Sequence, residues 1–185
     1  MLKKSDIPSI IKISLILFMI TALAAAILAG VNGVTAPQIA KNELEKQSAA
    51  MKKVLPGAEK FEKTENEEIF IGKKGEEILG YAVISEPQGY GGVISMVVGV
   101  DPDGKVLGID IISQSETAGL GANCEKDEFK EKFVGKTAGV TVVKGGAKEN
   151  EIDAISSATI TSKAVTEGVN NAIDLVEKYK EGEAK

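Results

Sequence analysis

From Ile13 to Val34 the chain runs through 22 positions without a charge, ISLILFMITALAAAILAGVNGV, and without the polar stripe that marks a core helix. As a helix the run spans roughly 33 Å, enough for the hydrocarbon layer of a membrane. The small residues of ALAAA resemble a signal-peptide cleavage site. Excised apolar regions are usually about 7–15 residues long, so the run predicts a retained transmembrane helix over 13–34. Beyond Pro37 the pattern changes. Ile39, Leu44, Ala49, Met51 and Leu55 recur among charges and predict a helical connector over 35–57, ended by Pro56-Gly57.

Closely spaced β-branched runs follow: Glu67–Gly72, Glu77–Glu86, Gly92–Asp101 and Val106–Ser113. The last two are joined by Asp-Pro-Asp-Gly at 101–104, a turn sequence, and the set predicts an antiparallel meander. Lys126–Lys136 reads as a short helix with Phe129 and Phe133 four apart, and Gly139–Val143 as a further strand. In the closing helix, expected over Thr161–Lys180, Val165, Val169, Ala172, Ile173 and Val176 form one apolar face for the sheet. The expected fold class is α+β: a cytoplasmic N-terminus (1–12), the span, the connector and one extracytoplasmic domain (58–185).

Lysine placement supplies the orientation. Lys3, Lys4 and Lys12 precede the span, which predicts a cytoplasmic N-terminus and a single-pass protein of the cytoplasmic (inner) membrane. The net charge of -5 argues against a nucleic-acid partner. The chain has no arginine, so bidentate guanidinium clamps on phosphate are excluded. Histidine is also absent and Cys124 is the single cysteine. Ser–His–Asp and Cys–His catalysis are thereby excluded, and no metal, haem or iron–sulfur ligand set is expected. A redox group on this chain must be organic.

One stretch concentrates chemistry. Between Ser156 and Ser162, five of seven residues carry a hydroxyl: Ser156, Ser157, Thr159, Thr161 and Ser162. They lie where the strand-like NEIDAI gives way to the last helix. A helix start presents free N–H groups that suit a phosphate, but Ser and Thr there also serve as simple caps. Capping needs one or two such residues, and Thr161 and Ser162 are the ones expected to cap.

Asp153, Ser156, Ser157, Ala158 and Thr159, in DAISSATITS, resemble the flavinylation motif of the FMN-binding domain family, with Ser157 where glycine is commonest. Gly89–Asp101, Ser113–Lys136 and the single anchor extend the resemblance to the RnfG component of Rnf electron-transport complexes, related to the NqrC component of the Na+-translocating NADH:quinone oxidoreductase. The resemblance implies FMN covalently joined to Thr159 through a phosphoester by a flavin transferase, which would account for a hydroxyl acceptor in a chain with no base of its own. Ser156 and Ser157 are then expected to donate to the phosphate or cap the helix.

SETAGLG resembles the family's second signature, which implies that Glu116, Thr117, Gly119 and Leu120 belong to the flavin pocket; the same residues also suit a turn between strand and helix. Tyr90, in GYGG, either approaches the ring or packs on the sheet from a hairpin loop. The implied function is electron carriage between other components of a membrane complex coupling ferredoxin:NAD+ electron transfer to Na+ or H+ translocation. It is a redox component rather than a stand-alone enzyme. The alternatives are a membrane-anchored non-redox scaffold and a flavin carrier of a related oxidoreductase or extracellular electron-transfer system.

Overall fold

The computed structural model describes residues 7–183. The membrane run and the connector form one helix, α1 (Ile7–Val54), with Pro37 inside it. Chain contacts divide the protein after Leu44. In the first unit α1 carries the apolar run, and Ile13, Leu15, Phe18, Met19, Leu23 and Leu28 are all exposed. It is the one helix among the described residues long and apolar enough to cross a membrane, with a mean hydropathy of 2.5 in its most apolar stretch.

The second unit starts at Glu45, within the same helix. Its centre is a five-stranded antiparallel sheet in chain order: β1 (Lys60–Lys63), β2 (Ile69–Lys74), β3 (Glu77–Ser85), β4 (Ser95–Val100) and β5 (Val106–Ser113). Alternation along the strands explains how both faces are covered. Tyr81, Val83, Met96, Val98 and Val100 point to the side occupied by α3 (Thr159–Glu183). Their neighbours Ala82 and Val97 point to the other side, against Ala50, Met51, Val54 and Leu55 at the end of α1. β4 is therefore apolar throughout its buried length, as a strand covered on both faces must be. Full burial of a Val or Leu contributes roughly 1.5–3 kcal/mol, so Val54 and Leu55 anchor the helix end firmly.

On α3 the expected stripe of Val165, Val169, Ala172, Ile173 and Val176 is completely buried. The helix starts at Thr159, two residues before the expected position. The segment expected as one short helix is tighter: a 3-10 turn (Gly121–Glu125), one turn of α-helix, α2 (Asp127–Lys130), and a second 3-10 turn (Glu131–Phe133). Phe129 and Phe133 are nevertheless buried together, edge to face, with centroids 5.4 Å apart. Buried Asp110 of β5 ties two helices to the sheet, accepting from Lys53 of α1 at 2.9 Å and Lys130 of α2 at 3.0 Å.

β1 has no sequence signal, because KFEK is a short charged edge strand. The last two strands depart from the antiparallel pattern. β6 (Thr141–Val143) and β7 (Glu151–Asp153) pair with each other, in parallel and apart from the main sheet. Each is only three residues long, and the link between them turns through Gly145-Gly146, both at positive φ. β7 delivers the chain to the start of α3.

Candidate functional site

After β7 a tight turn, closed by the Ala158 N–H donating to the Ile155 carbonyl at 3.0 Å, leads into α3. Ser157 occupies the third position of that turn with φ of 60°, the one non-glycine residue at positive φ among the described residues. This accounts for the departure from the motif: a left-handed turn position favours glycine, and an L-serine there costs about 1–2 kcal/mol of conformational strain.

The hydroxyls divide sharply by environment. Ser162, fully buried, accepts from the Ile155 N–H at 2.9 Å and donates to the Ala158 carbonyl at 2.9 Å, stitching the turn to the helix. Thr161 is 1 % exposed and donates to Glu116 Oε2 at 2.5 Å. Neither sits at the cap expected for it, because the helix has already begun at Thr159 and both side chains turn inward. Ser156 and Ser157 face solvent. Thr159, half-buried at the first helical residue, faces a cavity of about 500 Å³.

Seven of the residues singled out from the sequence converge on that cavity: Tyr90, Glu116, Thr117, Leu120, Ser157, Ala158 and Thr159. Gly121, Ile160 and Thr161 complete its lining. Asp153, Ser156 and Gly119 do not line it. The Asp153 carboxylate accepts from the Ala147 N–H at 3.1 Å and so fastens the loop before β7. Gly119 turns the second loop at φ of 78°, and its carbonyl accepts from the Asn123 side chain. A larger cleft, about 760 Å³, lies beside Glu65, Asn66, Lys178 and Tyr179, and none of the motif residues borders it.

Glu116 is buried, and its two carboxylate oxygens serve two segments: Oε1 accepts from the Gly91 N–H at 2.8 Å, Oε2 from Thr161. Tyr90, next to Gly91, is 72 % exposed, and Leu120 and Ile160 are also exposed. The cavity thus combines an aromatic ring and two aliphatic side chains with a hydroxyl at a helix start. Apolar walls with a few placed polar groups are what a flat heteroaromatic group with a phosphate tail requires, so the residues fit FMN. None of the lining residues is a lysine, which leaves backbone N–H groups and hydroxyls as the polar partners for a phosphate. Cys124, just beyond Gly121, is fully buried; burial pushes its thiol up to about 11, with Glu125 and Glu116 adding to the effect. It is packing, not chemistry.

Comparison with known proteins places this architecture. Residues 89–174 match the FMN-binding domain, and residues 1–54 match the RnfG N-terminal region. The chain is 39% identical over 184 residues to the G subunit of the proton-translocating ferredoxin:NAD(+) oxidoreductase complex of Clostridium ljungdahlii, covering 98% of this chain and 100% of that one. It is 41% identical to the G subunit of the Na(+)-translocating ferredoxin:NAD(+) oxidoreductase complex of Acetobacterium woodii, over 90% of this chain and 91% of that one. NqrC of Shewanella oneidensis shares the fold, with a TM-score of 0.53 and 18% identity over 69% of this chain and 74% of that one. The protein is thus a membrane protein with an FMN-binding domain. It belongs to the RnfG family, the G subunits of ion-translocating Rnf complexes.

Proposed function

We propose that this chain is the flavin-carrying, single-span component of an ion-translocating ferredoxin:NAD+ oxidoreductase complex, with FMN joined to Thr159 Oγ1 through a phosphoester. The observation that carries the reading is the position of Thr159. Within the family's motif, its hydroxyl stands at the first residue of α3 on the wall of the cavity, while Thr161 and Ser162 are engaged internally. Bound FMN supplies electron-transfer chemistry that this chain's own side chains lack.

The residues divide the remaining work. Ser157 and Ala158 present the start of α3 to the phosphate, with Ser156 beside them and Asp153 steadying the preceding loop. Tyr90, Thr117 and Leu120 hold the ring, Gly119 shapes the loop that bears them, and Glu116 fixes the walls. A flavin transferase supplies the activation, so the acceptor needs no neighbouring base. The tether keeps the cofactor from diffusing away and its effective concentration at the other components of the complex high.

Lys3, Lys4 and Lys12 put the N-terminus in the cytoplasm and the cavity on the outer face of the cytoplasmic membrane. One span offers no enclosed ion path, so translocation belongs to other components of the complex. The test is co-expression with a flavin transferase, followed by denaturation, intact mass and in-gel flavin fluorescence. The expected result is a gain of FMN less one water, absent in Thr159→Ala. A wild-type chain that gains nothing defeats the reading.

A further inference from the structure

We propose that Thr161 and Glu116 act as a single clamp that holds the walls of the cavity in register, Thr161 being a positioning residue for the modification of Thr159. The inference rests on the flavin reading above and deepens it. Glu116 reaches two segments far from it in sequence: Gly91, 25 residues earlier, and Thr161, 45 residues later. One carboxylate therefore joins the loop that carries Tyr90 to the helical turn that carries Thr159.

The clamp is built to stay closed. Glu116 and Thr161 are 8 % and 1 % exposed, so water is poorly placed to substitute for either partner. Two glycines make room for the carboxylate and lie hard against it. A Cβ on Gly121 would fall 2.5 Å from Glu116 Oε2 and 2.6 Å from Thr161 Oγ1, and one on Gly89 would collide with Glu116 Oε1. Both partners are neutral donors, and hydrogen bonds to a buried carboxylate are about twice as strong as neutral ones. Its negative charge also lies at the start of α3, where the helix dipole favours it.

Two consequences follow. The Thr161 hydroxyl is committed to Glu116, which leaves Thr159, two residues away, as the threonine open to the cavity. And a change at Thr161, on α3, must be felt at residues 88–93, which belong to a different loop. Without Thr161 one carboxylate oxygen loses its partner, the side chain is released, and the Gly91 N–H loses its fixed acceptor.

The experiment is hydrogen exchange read by mass spectrometry on the full chain in detergent, prepared without a flavin transferase. Thr161→Val keeps the shape and removes the donor; Thr161→Ser keeps the donor. Exchange in residues 88–93 is expected to rise about tenfold in Thr161→Val, the loss of a charge-assisted hydrogen bond, and to stay within about twofold of wild type in Thr161→Ser. In the same chains co-expressed with a flavin transferase, the initial rate of FMN incorporation should fall in Thr161→Val and recover in Thr161→Ser. Unchanged exchange at 88–93 in Thr161→Val overturns the clamp. So does a rise spread evenly over β3 and β4, which would report lost stability alone. A wild-type chain that takes no flavin overturns the covalent reading instead, and the two failures are read from different samples.

Discussion

Gly99 of β4 and Val54 of α1 meet backbone to backbone: a Cβ on Gly99 would fall 2.6 Å from the Val54 carbonyl oxygen. The end of α1 can lie on the sheet only because that position has no side chain. Gly80, next to it on β3, is similarly closed, with a Cβ falling 2.9 Å from Leu55 Cδ2 and 2.6 Å from the Val100 carbonyl oxygen. The glycines are where the helix docks.

Gly99→Ala should therefore lift Val54 and Leu55 off the sheet. Overpacking of a filled core costs about 1–3 kcal/mol, and here the obstructing atom is backbone, which cannot rotate away. Thermal unfolding of the full chain in detergent should show a clear loss for Gly99→Ala and little change for Gly75→Ser, an exposed turn substitution with open space around it. Equal melting of Gly99→Ala and wild type would mean that α1 does not bear on β4.

The left-handed turn at Ser157 gives a graded prediction. Replacing serine by glycine relieves about 1–2 kcal/mol of backbone strain and adds about 0.5–1 kcal/mol of unfolded-state entropy, a net gain of about 0.5–1 kcal/mol. A β-branched side chain is worse at positive φ. Stability should then follow Ser157→Gly, wild type, Ser157→Val in falling order, measured by urea denaturation. Flavin incorporation should follow the same order, since this turn sets the start of α3.

How much of the fold is legible in the sequence depends on periodicity. The α3 stripe, the four central strands and the apolar run of α1 each show a long, clean period, and each is present where expected. Three-residue strands such as β6 and β7 carry too little pattern to reveal that they pair in parallel. At the site, the motifs bring Thr159, Ser157, Glu116 and Tyr90 into view, and all four border one cavity. Thr161 reads as a cap in the sequence because composition alone cannot tell which way a hydroxyl on a helix turns. The signal that finds it is its spacing: Thr161 is two residues into the helix that Thr159 begins, where an inward hydroxyl needs a polar partner from another segment.

Alkaline pH should destabilise the domain through two groups. Burial raises Cys124 to about 11, so the folded state holds that proton more tightly than the unfolded chain does. Its contribution is complete below about pH 9 and fades as pH climbs towards 11. Burial opposes the charge on Lys130, but hydrogen bonds and attraction from Asp127 and Asp110 outweigh it and hold the ammonium above its usual value. That contribution too is present at neutral pH and lost on the alkaline side. Urea midpoints should be flat from pH 7 to about 8.5 and fall above it, and Cys124→Ala should show a shallower fall. A native thiol that alkylates at pH 8 as fast as the unfolded chain would contradict this burial.

Ser162 and Thr159 separate stability from modification. The Ser162 hydroxyl is the acceptor for the buried Ile155 N–H, so Ser162→Ala strands a donor in the core, at a cost of about 1–3 kcal/mol. Thr159 lines the cavity and its side chain holds no core group, so Thr159→Ala should change stability by less than about 0.5 kcal/mol while abolishing flavin attachment. Ser162→Ala should melt earlier yet still carry flavin when expressed with a transferase at low temperature. The two readouts, melting and in-gel fluorescence, should thus move oppositely in the two variants. Loss of fluorescence in Ser162→Ala with Thr159→Ala still labelled would move the acceptor from Thr159 to Ser162.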